Sequence, residues 1–313
     1  MQNYYLESGK IVVTNLNEFN TKHILECGQV FRYKKFDDHY EVYSQNKKAK
    51  IYSYPGKVEI LTSSPEYFVN YFDLNTNYTD IKQKLAQFEV LKPMLKFAYG
   101  IRILKQNEFE MMISFVISAN NNIKRIQSII EKMCEKFGTF DEKQNFYAFP
   151  TREQLLNATV DDFKLFGAGY RAEYLFNIIR QLENFDYDFV KNNQSEKVLP
   201  VLLNLSGVGP KVADCILLFG FNKPDVFPVD TWIIKVYNQY FAKDFKKLES
   251  IKNIDKSKNE NNLVINNANL KQNQKIKSKF DVKQIRKNLV SIFGNLSGYA
   301  QQYLFYYKRS GQD

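Results

Sequence analysis

The chain is poor in the residues that build metal centres and disulfide frameworks, with three cysteines, two histidines and one tryptophan in 313 residues. Cys27, Cys134 and Cys215 are odd in number and far apart, so they read as reduced thiols rather than a covalent scaffold. They are also too few for a four-cysteine iron–sulfur cluster. With only His23 and His39 and no Pro-Cys-x-x-Cys run, a zinc deaminase site is excluded and histidine acid–base chemistry is disfavoured. No apolar run approaches membrane-spanning length. The opening Met1-Gln2-Asn3-Tyr4-Tyr5-Leu6-Glu7 lacks the basic start and apolar core of a signal peptide. The expectation is a soluble, intracellular, cytoplasmic protein with no metal and no cofactor.

Positive charge is in excess. Forty-four Lys and Arg against 34 Asp and Glu give a net charge of +10, which suits a polyanionic partner. A hydrophobic content of 44% over this length supports two domains with sizeable cores. The first 75 or so residues carry short β-branched or aromatic runs: Lys10–Val13, Gln29–Tyr33, His39–Ser44, Lys50–Tyr54 and Lys57–Leu61. Turn signals such as Asp37-Asp38 and Pro55-Gly56 separate them, as in an antiparallel meander.

From Pro65 onward helical spacing takes over. Phe109–Phe137 is periodic but should break at Asn120-Asn121-Asn122. Thr151 with Gln154 and Thr159 with Asp162 read as capping boxes. Further helices are expected over Tyr170–Leu182, Lys197–Leu205, Pro210–Leu218, Asp230–Phe241, Asp281–Ile292 and Ser297–Tyr307. The fold class is therefore α+β, with a β-rich unit over 1–80 and a helical unit over 81–313. Residues 250–279 hold seven Lys and eight Asn with no aromatic, Gly or Pro, so a flexible insertion is expected there.

The most informative stretch is Leu205-Ser206-Gly207-Val208-Gly209-Pro210-Lys211-Val212-Ala213-Asp214, followed by Pro228-Val229-Asp230. Gly207 and Gly209 permit a tight turn with positive φ and leave no β-carbon to obstruct a close ligand, and Pro210 suits the first turn of a helix. Backbone N–H groups at Gly207, Val208 and Gly209 then face outward toward an anion, and nucleic-acid phosphate is the natural guest. Taken alone, such a hairpin signals binding, and Lys211 serves equally as a phosphate contact. Asp230 taken alone is a helix N-cap. Lys211 and Cys215, like Gln301 and Phe305, are four residues apart and share a helix face.

These segments resemble the 8-oxoguanine DNA glycosylases of the helix-hairpin-helix superfamily. The likeness extends to Ser114–Ile126 around the three asparagines and to Gly167-Ala168-Gly169-Tyr170-Arg171-Ala172. It also includes Cys27-Gly28-Gln29-Val30-Phe31-Arg32 and Tyr299-Ala300-Gln301-Gln302-Tyr303-Leu304-Phe305. The five segments follow the family's order across roughly residues 27 to 305.

The resemblance implies a monomeric enzyme acting on double-stranded DNA that contains oxidised guanine, nucleoid-associated in a prokaryote. Lys211 would be the nucleophile and Schiff-base former, with associated β-elimination, and Asp230 would stabilise the cationic transition state. Cys215 and Phe305 would sandwich the extruded purine, Gln301 would bond its Watson–Crick edge, and the Gly28 carbonyl would receive the N7 hydrogen absent from guanine. Asn120, Arg125 and Arg171 would address the cytosine left behind, with Tyr170 as a wedge. Trp232 stands where the family has a phosphate-contacting His, which leaves that contact open against a packed anchor. Two other readings compete: a helix-hairpin-helix glycosylase for another lesion, and a non-catalytic DNA-binding module.

Overall fold

The computed structural model describes residues 3–243 and 281–312, so the Lys- and Asn-rich 250–279 segment lies outside the described residues. The expected meander is present as one six-stranded antiparallel sheet in the order β1-β2-β6-β5-β4-β3. Its strands are β1 (Tyr4–Glu7), β2 (Lys10–Val13), β3 (Tyr33–Lys35), β4 (His39–Ser44), β5 (Lys47–Tyr54) and β6 (Lys57–Thr62). Alternating residues of β2, β5 and β6 point to one core, where Ile11, Val13, Ile51, Val58 and Ile60 pack with Phe68 and Phe72. The sequence reading missed β1, the exposed edge.

It also misplaced one strand. Only Tyr33 of the expected Gln29–Tyr33 run is in a strand. Gln29 is wholly buried and its amide donates to the carbonyls of Ile24 (3.0 Å) and Arg102 (2.7 Å) while accepting from Leu104 N–H (2.9 Å). The Gln29 carbonyl in turn accepts from Gln106 at 2.9 Å. Polar groups satisfied this way need no neighbouring strand. The segment threads between cores instead: Cys27, Val30 and Phe31 each belong to a different apolar cluster.

The remainder is helical. The expected break at the asparagines is real: one helix covers Glu108–Ser118 and the next Ile123–Phe137, with Asn122 capping the second and Asn120 at φ +48°. Both capping boxes form. The Asp230–Phe241 helix is α only over Thr231–Val236 and continues as a π-helix over Tyr237–Phe241. Buried Asn288, on the Val282–Phe293 helix, donates to the Tyr237 hydroxyl at 2.7 Å beside that widened turn. A short strand pair, β7 (Phe140–Asp141) with β8 (Phe146–Tyr147), was not foreseen.

Candidate active site

Four segments far apart in sequence form the site. The hairpin helix Pro210–Phe219 supplies Lys211 and Cys215, one turn apart. Asp230 is the N-cap of Thr231–Val236 and accepts from Ile233 N–H at 2.9 Å, so its capping role is real. The C-terminal helix Ser297–Arg309 supplies Gln301 and Phe305, and the threaded segment supplies Gly28. All six residues line one small cavity of about 40 Å³, walled also by Phe115, Phe219, Pro228 and Gln302. That space holds about two or three waters. A purine enters only if side chains give way.

The cavity adjoins an open groove of about 710 Å³ that shares Gly28, Lys211, Asp230 and Phe305 and continues along Asn120–Ile123 to Trp232. A larger hollow of about 830 Å³ lies between Gln45–Asn46, Phe140 and Thr151–Gln154, and contains none of the expected site residues. Size and the expected site residues therefore single out different cavities.

The electrostatics of the small cavity are specific. Burial holds the Asp230 carboxyl above its ordinary value, opposed by the Ile233 N–H and by the charge of Lys211 across the cleft. Burial likewise pushes the Cys215 thiol up to about 11, so it stays neutral even though Lys211 bonds to its sulfur. The Lys211 ammonium lies 5.4 Å from the centroid of the Phe115 ring. Gln301 Oε1 is buried with no hydrogen-bond partner among the described residues. Its neighbour Gln302 donates to the Cys27 carbonyl at 2.8 Å and so fastens the C-terminal helix to the Gly28 turn. Gly28 itself sits at φ +89°, a region that disfavours any side chain.

The hairpin differs in two respects from the sequence reading. Gly207 has the expected positive φ of +77°, and a β-carbon there would lie 2.8 Å from Tyr174. Gly209 is extended at φ −88°, ψ 177°, with open space where a side chain would be. Glycine at 209 therefore permits close approach of a ligand rather than a left-handed turn. Val208 N–H is already bonded to the Leu205 carbonyl at 3.1 Å, which removes one of the three amides assigned to phosphate.

The four residues expected to meet the opposite base form a second cluster. Tyr170 is 57% exposed. Asn120 and Arg125 are also exposed, and Arg125 donates to the Gly167 carbonyl at 2.8 Å. Arg171 is buried, and donates to the carbonyls of Ala119 (2.7 Å), Asn120 (2.6 Å) and Ala168 (3.2 Å) beneath the Tyr170 ring. Trp232 is half-buried in the groove with the Lys235 ammonium 4.4 Å from its ring centroid, so it is not a core anchor.

Comparison with known proteins places the chain in a family. The sequence matches the family described as "8-oxoguanine DNA glycosylase, N-terminal domain" over residues 11–112, and the HhH-GPD superfamily of base-excision DNA repair proteins over 113–258. The fold superposes on the Clostridium acetobutylicum 8-oxoguanine glycosylase/lyase, solved with double-stranded DNA containing cytosine opposite 8-oxoguanine. The TM-score is 0.84, with 32% identity over 100% of both chains. The chain belongs to the 8-oxoguanine DNA glycosylase family. The N-glycosylase/DNA lyase of Saccharomyces cerevisiae is 29% identical over 95% of this chain and 85% of its own. The 3-methyladenine DNA-glycosylase of Archaeoglobus fulgidus, at 17% identity and a TM-score of 0.62, shares the fold.

Within this family member, two supporting groups escaped the sequence reading. Asp214, inside the hairpin helix, is buried and makes a two-pronged bond to Arg286 at 2.6 and 2.8 Å. A carboxylate within Val-Ala-Asp-Cys-Ile-Leu-Leu-Phe signals a buried partner, but nothing in sequence names a residue 72 positions away. Arg309 is the second such group.

Proposed function

We propose that the small cavity is the damaged-base pocket of a bifunctional 8-oxoguanine glycosylase and β-lyase, with Lys211 as nucleophile. The neutral Lys211 amine attacks sugar C1′ as the C1′–N9 bond breaks, and the base departs with the electron pair. Loss of the amine proton and opening of the sugar ring give a Schiff base. Removal of a C2′ proton then expels the 3′ phosphate. Asp230, across the cleft, offsets the positive charge that develops on the sugar.

The observation that carries this reading is the convergence of an amine, a largely buried carboxylate and an unpaired amide oxygen on one cavity beside a groove. Gln301 Oε1 is an acceptor awaiting a donor, as the Watson–Crick edge of a purine provides. The Gly28 carbonyl is the proposed acceptor for N7–H, which guanine lacks. Cys215 and Phe305 close the pocket on the base. In the second cluster Asn120, Arg125 and Arg171 face the partner cytosine, with Tyr170 as the wedge. Gly207 and Gly209 offer their amides to phosphate.

Borohydride trapping on duplex DNA with one 8-oxoguanine opposite cytosine tests the reading. Wild type is expected to give a covalent adduct, and Lys211→Ala none, with turnover more than about a thousandfold lower. Base release by wild type without an adduct would remove Lys211 as nucleophile. Neither release nor adduct would leave a DNA-binding module.

A further inference from the structure

Gly28 lies beneath two side chains of the C-terminal helix. A β-carbon there would stand 2.6 Å from Arg309 Nη1 and 3.1 Å from Phe305 Cε1. The missing side chain is the space into which these two groups close. Gln301, Phe305 and Arg309 are spaced by four along one helix face, so Arg309 is the next rung outward from the pocket.

Arg309 ties the two walls of the slot together. Its Nη2 donates to the Glu26 carbonyl, holding the turn that presents Gly28. Its guanidinium carbon lies 5.0 Å from the centroid of the Phe305 ring and lines the open groove. Phe305 is only half-buried, so core packing alone leaves its ring free to swing into the groove. A planar cation against the ring, itself anchored to a carbonyl, restricts that swing.

We propose that Arg309 is a positioning residue for base recognition: it braces the Phe305 ring against the Glu26–Gly28 turn and thereby sets the width of the slot that receives the flipped purine. This inference rests on the reading of that slot as the damaged-base pocket. It separates two steps of the reaction. Base excision needs the slot, whereas strand cleavage at a site that already lacks its base does not.

The test compares wild type, Arg309→Ala and Arg309→Lys in single-turnover excision of 8-oxoguanine opposite cytosine and in cleavage of a preformed abasic duplex. Arg309→Ala is expected to slow excision about tenfold, equivalent to about 1.4 kcal/mol, and abasic cleavage far less. Arg309→Lys should recover part of the excision rate, because an ammonium still reaches the Glu26 carbonyl but presents no flat face to the ring. Equal losses in both steps, or unchanged excision, would overturn the assignment. An unaltered melting temperature in either variant would assign the excision loss to the slot rather than to unfolding. Wild type inert toward the lesion would overturn the functional reading as well, a result distinct from an active wild type matched by Arg309→Ala.

Discussion

Around Lys211 the protein buries polar groups with hydrogen-bonding capacity to spare, while around Arg171 that capacity is already used. Gln301 Oε1 is buried without a partner among the described residues, and the Asp230 carboxylate is held in a setting that penalises its charge. Arg171, by contrast, is buried and donates to three backbone carbonyls. An unsatisfied buried oxygen costs about 1–3 kcal/mol, and that cost is recovered only when a guest brings a donor. On the proposed function the first cluster is a receptor held ready at some expense in stability. The second is a scaffold in which Arg171 stiffens the Asn120 turn and must exchange partners to touch DNA.

Asp230 offers the sharpest way to break that contrast. Its folded value lies above the ordinary 3.8, so the protonated form is the one favoured by folding. That contribution is complete below 3.8 and is lost as pH rises through the folded value, leaving a penalised charge at neutral pH. Asp230→Asn keeps an N-cap acceptor for Ile233 and removes the charge. Excision is expected to fall about 10²- to 10³-fold while the melting temperature at pH 7 holds or rises, and the stability difference should close below about pH 3.8. A drop in melting temperature would mean that the charged cap, rather than a strained catalytic group, dominates at this position.

Gln301→Leu comes next in size. Replacing an amide whose oxygen has no partner should leave thermal stability unchanged or improved, while excision of 8-oxoguanine drops about tenfold to a hundredfold. If stability falls instead, the amide has a partner in solution and the pocket is less ready than the static structure indicates. The smallest effects separate the two arginines. Arg171→Ala strips donors from buried carbonyls and should cost about 2 kcal/mol or more in denaturant unfolding. Arg125→Ala, at an exposed position, should stay within about 0.5 kcal/mol yet relax the preference for cytosine opposite the lesion. Equal stability losses would erase the distinction between scaffold and reader.

Much of this was legible in the chain. The break at Asn120, both capping boxes and five of the six sheet strands, one of them displaced, follow from local patterns that short-range physics enforces. The displaced strand was misread because Gln29 meets its hydrogen-bonding needs through residues 24, 102 and 104, which no local window contains. Gly209 was misread in its backbone alone, the room it leaves for a ligand being as expected. Glycine in a hairpin suggests positive φ, yet here the backbone is extended and the missing side chain leaves room for a ligand. Arg309 carried no signal at all, since a basic residue ending a helix ordinarily answers the helix dipole.

The sequence by itself determined on which turns the candidate site side chains stand, because spacings of four and helix caps are set within a few residues. It also determined the family, through five short segments in order. Only the tertiary structure decided that Gly28, Lys211, Asp230 and Gln301 share one small cavity, which of their polar groups lack partners among the described residues, and that Arg171 is bound inward while Arg125 is exposed. Burial, desolvation and hydrogen-bond satisfaction depend on atoms brought together from distant parts of the chain, and those quantities exist only once it has folded.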